Sequence, residues 1–156
     1  MILVPYTRLH PTTARLLNQH APGHVRALLD PMDDSAYFRL LAAEWSRPGD
    51  LVVVEQDVGV TGAVMPGFAS CREPWCGHAY PIGGRLLICL GCTRFTGELK
   101  VLEPDLFDIV GRCADDGIPA KHWRRLDVRL DGELRRRGYA PHRHFPDLSH
   151  YHKYAP

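Results

Sequence analysis

The sequence contains no apolar stretch that is long enough to cross a membrane. A membrane-spanning helix needs about 20 consecutive apolar residues, and no run within the 156 residues approaches that length. Met1 leads directly into a short strand-like segment instead of a signal peptide. We therefore expect a cytoplasmic protein with no membrane partner.

The sequence also lacks an excess of charge of one sign. Nineteen Lys and Arg residues oppose eighteen Asp and Glu residues, giving a net charge of +1, so the total charge favours neither a nucleic-acid nor a membrane partner. Apolar residues make up 45% and charged residues 24% of the chain, which excludes disordered, collagen-like and fibrous classes. With no internal repeat and no linker, the length predicts one domain over residues 1–156.

Apolar periodicity predicts strands that alternate with helices. The candidate elements, in chain order, are 2–4, 11–17, 25–29, 37–45, 51–54, 86–90, 121–137, 139–145 and 148–151. Residues 51–54 are Leu-Val-Val-Val, which is typical of a strand buried on both faces, and Gly138 supplies a stop for the helix over 121–137. Residues 58–84 are rich in Gly and Pro and are interpreted as loop. The alternation predicts an α/β protein with a mostly parallel sheet flanked by helices.

Two carboxylates follow the strand at 51–54. Glu55 and Asp57 are two residues apart, so both side chains are expected on one side at the carboxyl end of the strand, where open α/β sheets bind ligands. Carboxylate oxygens suit magnesium or manganese, and such a cation can neutralise a diphosphate. The alternative is an ordinary acidic pair at the start of a loop.

A longer pattern occupies the C-terminal part of the chain. Residues 126–139 read Leu-Asp-Val-Arg-Leu-Asp-Gly-Glu-Leu-Arg-Arg-Arg-Gly-Tyr and are followed by Pro146-Asp147 and later histidines. This order resembles family-2-type GT-A glycosyltransferases, in which Glu-Asp-x-x-Leu-x-x-Arg-x-x-x-x-Gly-Tyr opens a helix and a Pro-Asp turn precedes a strand ending in histidine. Residues 55–57 are similar to that family's Asp-x-Asp strand, and residues 4–6 resemble its opening strand.

The resemblance implies a minimal GT-A-like fold and a metal-dependent, inverting transfer of a sugar from a nucleotide-diphosphate sugar to a hydroxyl acceptor. Asp127 matches the catalytic base, and Asp57 matches the metal-binding second Asp. Glu55 replaces the first Asp, which faces the nucleotide ribose. Leu126 stands where the family has Glu, so the acidic pair is incomplete, and the alternative for Asp127 is a solvated helix carboxylate.

The resemblance also implies a cation site and a donor site. The cation, Mn²⁺ or Mg²⁺, is expected on Asp57 and a C-terminal histidine, and the spacing leaves both His150 and His152 open. The other residues expected to bind the nucleotide sugar are Pro5, Tyr6, Thr7, Asp33, Gly91 and Arg94. Asp30 is an alternative to Asp33, and residues 91–95 are equally consistent with an ordinary strand-to-helix turn. His142 and His144 are expected to flank the acceptor path or to be merely exposed.

The five cysteines support a second interpretation. The motifs Cys71-x4-Cys76 and Cys89-x2-Cys92, separated by twelve residues, have a spacing that a structural Zn²⁺ site with four thiolates could use. An odd number of cysteines without a secretory signal argues against a full disulfide framework. A zinc site could coexist with the enzyme. The alternatives are buried free thiols or one local Cys71–Cys76 pair.

A basic segment supports a third interpretation. Seven cations lie in 121–137 against three acidic residues, a local charge of +4: Lys121, Arg124, Arg125, Arg129, Arg135, Arg136 and Arg137. Such a patch is consistent with a zinc-binding, nucleic-acid-binding module without catalysis. If the chain is a glycosyltransferase, the patch would suit DNA as the acceptor, because bacteriophage enzymes that glycosylate hydroxymethylated bases are similar to this part of the family.

Overall fold

A six-stranded mixed sheet forms the centre of the molecule. The computed structural model describes residues 1–82, 85–88, 90–114 and 117–151. Its strands are β1 (Ile2–Tyr6), β2 (Val25–Leu28), β3 (Leu51–Val54), β4 (Val58–Gly59), β5 (Trp75–His78), β6 (Tyr80–Ile82), β7 (Arg85–Leu87), β8 (Cys92–Phe95), β9 (His142–His144) and β10 (Ser149–His150). The central sheet has the order β2-β1-β3-β8-β5-β9, and the pairs β4–β10 and β6–β7 form two small sheets.

The central sheet is mostly parallel. β1 pairs in parallel with β2 and β3, and β5 pairs in parallel with β9. β8 is antiparallel to both of its neighbours, β3 and β5. The helices are α1 (Pro11–His20), α2 (Ala36–Trp45), α3 (Val64–Ser70), α4 (Gly97–Leu102), α5 (Leu106–Val110) and α6 (Leu126–Arg136). The predicted α/β class, with helices flanking a mostly parallel sheet, is confirmed.

Helices cover both faces of this sheet. The side chains of its inner strands point alternately to one face and to the other, so both faces carry apolar residues that helices bury. Leu51 and Val53 of β3 pack into one core with α2, α4, α5 and α6. Val52 and Val54 pack into a second core on the opposite face with α1 and α3. A strand with apolar residues at every position can serve both cores, which explains the unbroken Leu-Val-Val-Val run. None of the described helices combines the length and the apolar character needed to span a bilayer.

The interpretation of residues 58–84 as loop was wrong. The segment contains β4, α3, β5 and β6. The strand predicted at 86–90 is also displaced, because β7 covers only Arg85–Leu87 and pairs with β6, whereas the central sheet takes β8. β8 includes Thr93 and Arg94, both buried. Their polar groups interrupt the apolar pattern that would have indicated a strand.

The C-terminal helix begins later than predicted. Lys121 has a φ of 70°, a left-handed conformation that a helix cannot include. A 3₁₀ turn at Trp123–Arg125 follows, and α6 starts at Leu126. Asp127 consequently lies in the first turn of α6 instead of in the middle of a long helix. The two extended segments predicted after the helix are confirmed as β9 and β10.

Candidate functional site

A cleft of about 370 Å³ opens at the carboxyl ends of β1, β2 and β3. This edge of an open α/β sheet is where ligands bind in such folds. The residues that line the cleft are Pro5, Thr7, Leu29, Asp30, Asp33, Ala36, Tyr37, Glu55, Gln56, Asp57, Tyr80, Leu90, Trp123, Arg124, Asp127 and His150. The structure therefore brings together most of the residues that the sequence analysis selected from distant parts of the chain.

Gln56 fixes the wall of the cleft between β1 and β3. Its side-chain Oε1 accepts hydrogen bonds from the backbone N–H groups of Thr7, at 2.8 Å, and Arg8, at 3.0 Å. The Thr7 hydroxyl lies 3.2 Å from the same oxygen. The backbone carbonyl of Gln56 accepts from the His10 N–H at 2.9 Å. The loop after β1 is thus held against the end of β3, which positions Thr7 beside the acidic residues.

Glu55 is a carboxylate with a perturbed environment. The Tyr37 hydroxyl donates a hydrogen bond to Glu55 Oε1 at 3.0 Å. Burial raises the pKa of Glu55 to about 7; the bond from Tyr37 opposes this shift, and the negative charges of Asp57 and Asp127 add to it. Three carboxylates close enough to influence one another create a negative potential that attracts a cation.

Asp57 and His150 form a pair beside the carboxyl end of β3. His150 Nε2 lies 3.3 Å from Asp57 Oδ1, and His150 Nδ1 lies 3.1 Å from the Pro81 carbonyl oxygen. The hydrogen bond with Asp57 raises the pKa of His150. His150 reaches this position because β10 pairs with β4, which places His150 opposite Val58. His152, the other expected ligand, lies outside the described residues.

This pair fits a divalent cation. If the Nδ1–H group of His150 donates to the Pro81 carbonyl, the neutral ring presents the lone pair of Nε2 beside a carboxylate oxygen. A nitrogen and an oxygen donor 3.3 Å apart have the separation of two adjacent ligands of one metal ion, and both donor types suit manganese.

Asp127 enters the cleft from the first turn of α6. Its Oδ1 accepts a hydrogen bond from the Val128 backbone N–H at 2.8 Å, and its charge contributes to the raised pKa of Glu55. Asp131, one turn later, does not line the cleft and instead binds Arg135 at 2.8 Å. The two carboxylates of this helix therefore have different environments.

Asp30 and Asp33, the two alternatives after β2, both line the cleft. Asp30 Oδ1 accepts from the Met32 N–H at 2.9 Å. Asp33 accepts from the Ser35 N–H at 2.9 Å and also pairs with Arg39. The hydrogen bond from Arg39 holds the pKa of Asp33 well below its usual range. Asp33 is thus committed to protein partners to a greater extent than Asp30.

Three residues expected to bind the donor lie outside the lining of the cleft: Tyr6, Gly91 and Arg94. Arg94 Nε binds Asp50 at 2.8 Å, and its Nη1 donates to the Cys71 carbonyl at 3.0 Å. Gly91 N–H donates to the Tyr80 hydroxyl at 2.9 Å, and its carbonyl accepts from the Glu55 N–H at 2.9 Å. Gly91 therefore contacts two residues that line the cleft, Tyr80 and Glu55, whereas Arg94 binds residues outside the cleft.

The sequence analysis did not identify Tyr37, Trp123 and Arg124 as residues of the cleft. Trp123 is 46% exposed, and its indole N–H donates to Asp34 Oδ1 at 3.2 Å. The Arg124 guanidinium lies 5.5 Å from the centre of the Trp123 ring. For Trp123 and Arg124 the available signal was their position just before Asp127, which the prediction of one continuous helix concealed.

The arginines at the end of α6 are ion-paired. Arg135 binds Asp131 at 2.8 Å, and Arg136 binds Glu133 at 2.6 Å. Arg137 binds Glu133 at 2.7 Å and also contacts Glu103 and Asp105. Asp131 and Glu133 are already counted in the expected charge of +4, and the two carboxylates from outside the segment, Glu103 and Asp105, lower the local charge to +2.

The structure describes three of the four cysteines of the alternative four-thiolate zinc site. Cys71 and Cys76 lie close to His144, and Cys92 is fully buried, where burial raises the pKa of its thiol. Cys89 lies outside the described residues. His144 is partly buried beside Phe68, with ring centres 5.7 Å apart, and neither His142 nor His144 lines the cleft.

Comparisons with known proteins establish the fold. No family model matches the chain, and no curated protein matches it. A solved glycosyltransferase involved in the glycosylation of the major capsid of PBCV-1 superposes with a TM-score of 0.58 at 13% identity, covering 98% of this chain and 93% of the other. A197 from STIV superposes with a TM-score of 0.51 at 9% identity, covering 94% and 81%. The chain therefore shares its fold with a glycosyltransferase.

Proposed function

We propose that this protein is a glycosyltransferase that moves a sugar from a nucleoside diphosphate sugar to a hydroxyl acceptor. The observation that carries the proposal is the cleft at the carboxyl ends of β1 to β3, where Glu55, Asp57 and Asp127 meet His150. The shared fold with a glycosyltransferase supports the same function. The order of motifs that resembles the GT-A family is a third, independent argument.

Asp57 and His150 are the residues that would hold Mn²⁺ or Mg²⁺, with His152 as a further candidate. Their donor atoms are 3.3 Å apart, and the contact of His150 Nδ1 with the Pro81 carbonyl orients the ring. When bound, the cation neutralises the negative charge of the departing diphosphate. Glu55, beside the same pair, is the candidate for the ribose of the donor.

Asp127 would act as the general base. Its carboxylate takes the proton of the acceptor hydroxyl while the hydroxyl oxygen forms a bond to the anomeric carbon. The bond between that carbon and the diphosphate oxygen breaks, and its electron pair leaves with the diphosphate. Attack opposite the leaving group inverts the anomeric configuration. The position of Asp127 in the cleft is compatible with this role.

The nucleoside of the donor would occupy the side of the cleft formed by the ends of β1 and β2. Pro5 and Thr7 line this side together with Asp30 and Asp33, which are candidates to bind the edge of a base. Trp123 also lines the cleft and is 46% exposed. Aromatic faces bind bases and sugars by stacking, with little selectivity for the base.

A nucleotide screen tests this proposal. We expect one of UDP, GDP, CDP and dTDP to raise the melting temperature of the protein in the presence of Mn²⁺, and to lose this effect in Asp57→Asn. Asp108 is an exposed carboxylate of α5. The variant Asp108→Asn is therefore the matched control and should behave as the parent protein. Absence of any nucleotide-dependent change with the parent protein would contradict the proposed function.

DNA with hydroxymethylated bases is the narrower proposal for the acceptor. The ion pairs of Arg135 to Arg137 reduce the support for it, and they equally reduce the support for a module that only binds nucleic acid. Arg124, in the cleft, is the cation best placed to contact an acceptor phosphate. If DNA is the acceptor, transfer to a hydroxymethylated duplex should weaken steeply as salt increases. Transfer only to protein or saccharide hydroxyls would reject DNA.

A further inference from the structure

A second group of side chains that could ligate a metal ion lies away from the cleft, at the end of α3 and on β5 and β9. The thiols of Cys71 and Cys76 and one ring nitrogen of His144 are all within 4.8 Å of one another. Cys71 Sγ also lies 3.4 Å from His142 Nδ1. These four residues come from the end of α3, from β5 and from β9, so the group joins three elements of the fold.

The register of β5 and β9 explains why these side chains meet. The two strands are parallel, with Cys76 opposite His142 and His78 opposite His144. Residues two apart on a strand point to the same face, so Cys76 and His78 share a face with the two histidines of β9. Cys71 caps the end of α3, which packs against β5 and covers this face.

Two buried ring nitrogens, one in the group and one beside it, have unused hydrogen-bonding capacity. Among the described residues, neither His144 Nε2 nor His78 Nε2 has a hydrogen-bond partner. The His78 ring is 5.4 Å from that of His144, and its Nδ1 is 2.8 Å from the Pro146 carbonyl. A buried polar atom without a partner is costly, and a bound metal ion supplies a partner to an imidazole nitrogen.

The donor set selects a thiophilic ion. Thiolate sulfur and imidazole nitrogen are typical zinc ligands, whereas magnesium and manganese prefer oxygen. Zinc ligands in a tetrahedral site are separated by about 3.5 Å, given zinc–ligand bonds of about 2.0–2.3 Å, so the 3.4 Å between Cys71 Sγ and His142 Nδ1 already matches.

We propose that Cys71, Cys76, His142 and His144 bind a structural Zn²⁺ ion. Two thiolates neutralise the ion, and four protein ligands leave no open position for a substrate, as in structural zinc sites. The thiol protons are released to solvent when the ion binds. The site ties the edge strand β9 to α3 and β5, and β9 leads directly into the segment that carries His150 to the cleft.

Metal analysis of the protein tests the proposal. Protein purified under reducing conditions should contain one zinc ion per chain. Replacement by Co²⁺ should give the thiolate-to-cobalt charge-transfer band and visible ligand-field bands of a tetrahedral site. Cys71→Ser and His144→Ala should each lose the ion or bind it at least tenfold more weakly. Cys113→Ser, which removes an exposed cysteine, is the matched control and should retain one ion.

Two measurements keep the test decisive. Co²⁺ titration of the metal-free parent protein needs no variant, so it is informative even if Cys71→Ser fails to fold. Asp57→Asn should keep its zinc ion, which separates this site from the cation site of the cleft. Reduced parent protein without zinc and without a charge-transfer band would overturn the proposal. A Cys71–Cys76 disulfide in protein that lacks zinc would overturn it as well.

Discussion

Replacing Glu133 by glutamine should destabilise the protein to an extent that depends on pH. Glu133 binds Arg136 at 2.6 Å and Arg137 at 2.7 Å. Arg137 also binds Asp105 at 2.8 Å and contacts Glu103, so it joins the end of α6 to the connection between α4 and α5. Loss of the Glu133 charge weakens a junction that holds the helix carrying Asp127.

The size of the effect follows from the pKa of Glu133. Its hydrogen bond from Arg136, followed by that from Arg137, lowers the pKa of Glu133 from 4.5 to about 2. A difference of this size corresponds to at most about 3 kcal/mol. Arg136 is 66% exposed, and solvent screening weakens such a pair. We therefore expect a loss of about 2 kcal/mol in the free energy of unfolding.

The pH dependence has a definite sign. Because the carboxyl pKa is lower in the folded protein, its contribution is complete above the unfolded value of 4.5 and is lost as the pH falls towards about 2. Urea unfolding of parent and variant should therefore differ by about 2 kcal/mol at pH 7 and by less than half as much at about pH 3. The comparison of two proteins at each pH cancels the titration of the other carboxylates.

Glu73→Gln is the control for this measurement, since it makes the same chemical change at an exposed loop position. It should change the free energy of unfolding by less than about 0.5 kcal/mol at either pH. A Glu133→Gln variant that is as stable as the parent at pH 7, or that shows the same deficit at both pH values, would refute the role of the junction.

Two further predictions concern the cleft. Asp127→Asn should retain donor binding but transfer sugar at least about 10²-fold more slowly. The carboxylate of Asp131 pairs with Arg135, so Asp131→Asn should stay within about threefold of the parent. Equal effects of the two changes would remove Asp127 from catalysis. Trp123→Ala should weaken nucleotide binding in calorimetry by about 1–3 kcal/mol if the indole stacks on the base, and an unchanged dissociation constant would mean that it does not contact the nucleotide.

The parts of the fold that could be predicted are those in which the apolar pattern of a short segment already indicates which side chains are buried. β3 is buried at all four positions, so its apolar run is unbroken, and α2 shows its buried face at helical spacing. α3 contains Pro66 and Gly67, and its position depends on packing against β5. Arg94, buried in β8, is tolerated there because Asp50 and the Cys71 carbonyl bind it, and both partners are distant in the sequence.

The residues of the candidate sites likewise divide into those that could be predicted from the sequence and those that could not. Glu55, Asp57 and Asp127 lie at positions that a mostly parallel sheet places at one edge, so their convergence could be expected from element order. The pairing of Cys76 with His142 depends on the register of two strands that are far apart in the chain. Neither residue carries a local signal for the other, and this is why the sequence indicated a cysteine-only zinc site.

The charge of the cleft leads to a last prediction. Glu55, Asp57 and Asp127 face a nucleoside diphosphate that carries its own negative charges, with Arg124 as a cation of the lining. Carboxylates so close to a diphosphate would repel it, so donor binding requires an additional cation at Asp57. We therefore expect the dissociation constant of the preferred nucleotide to rise at least about tenfold when EDTA replaces Mn²⁺, a change of about 1.4 kcal/mol. Equal affinity in EDTA and in Mn²⁺ would show that the protein itself neutralises the diphosphate, and the role assigned to Asp57 would then be wrong.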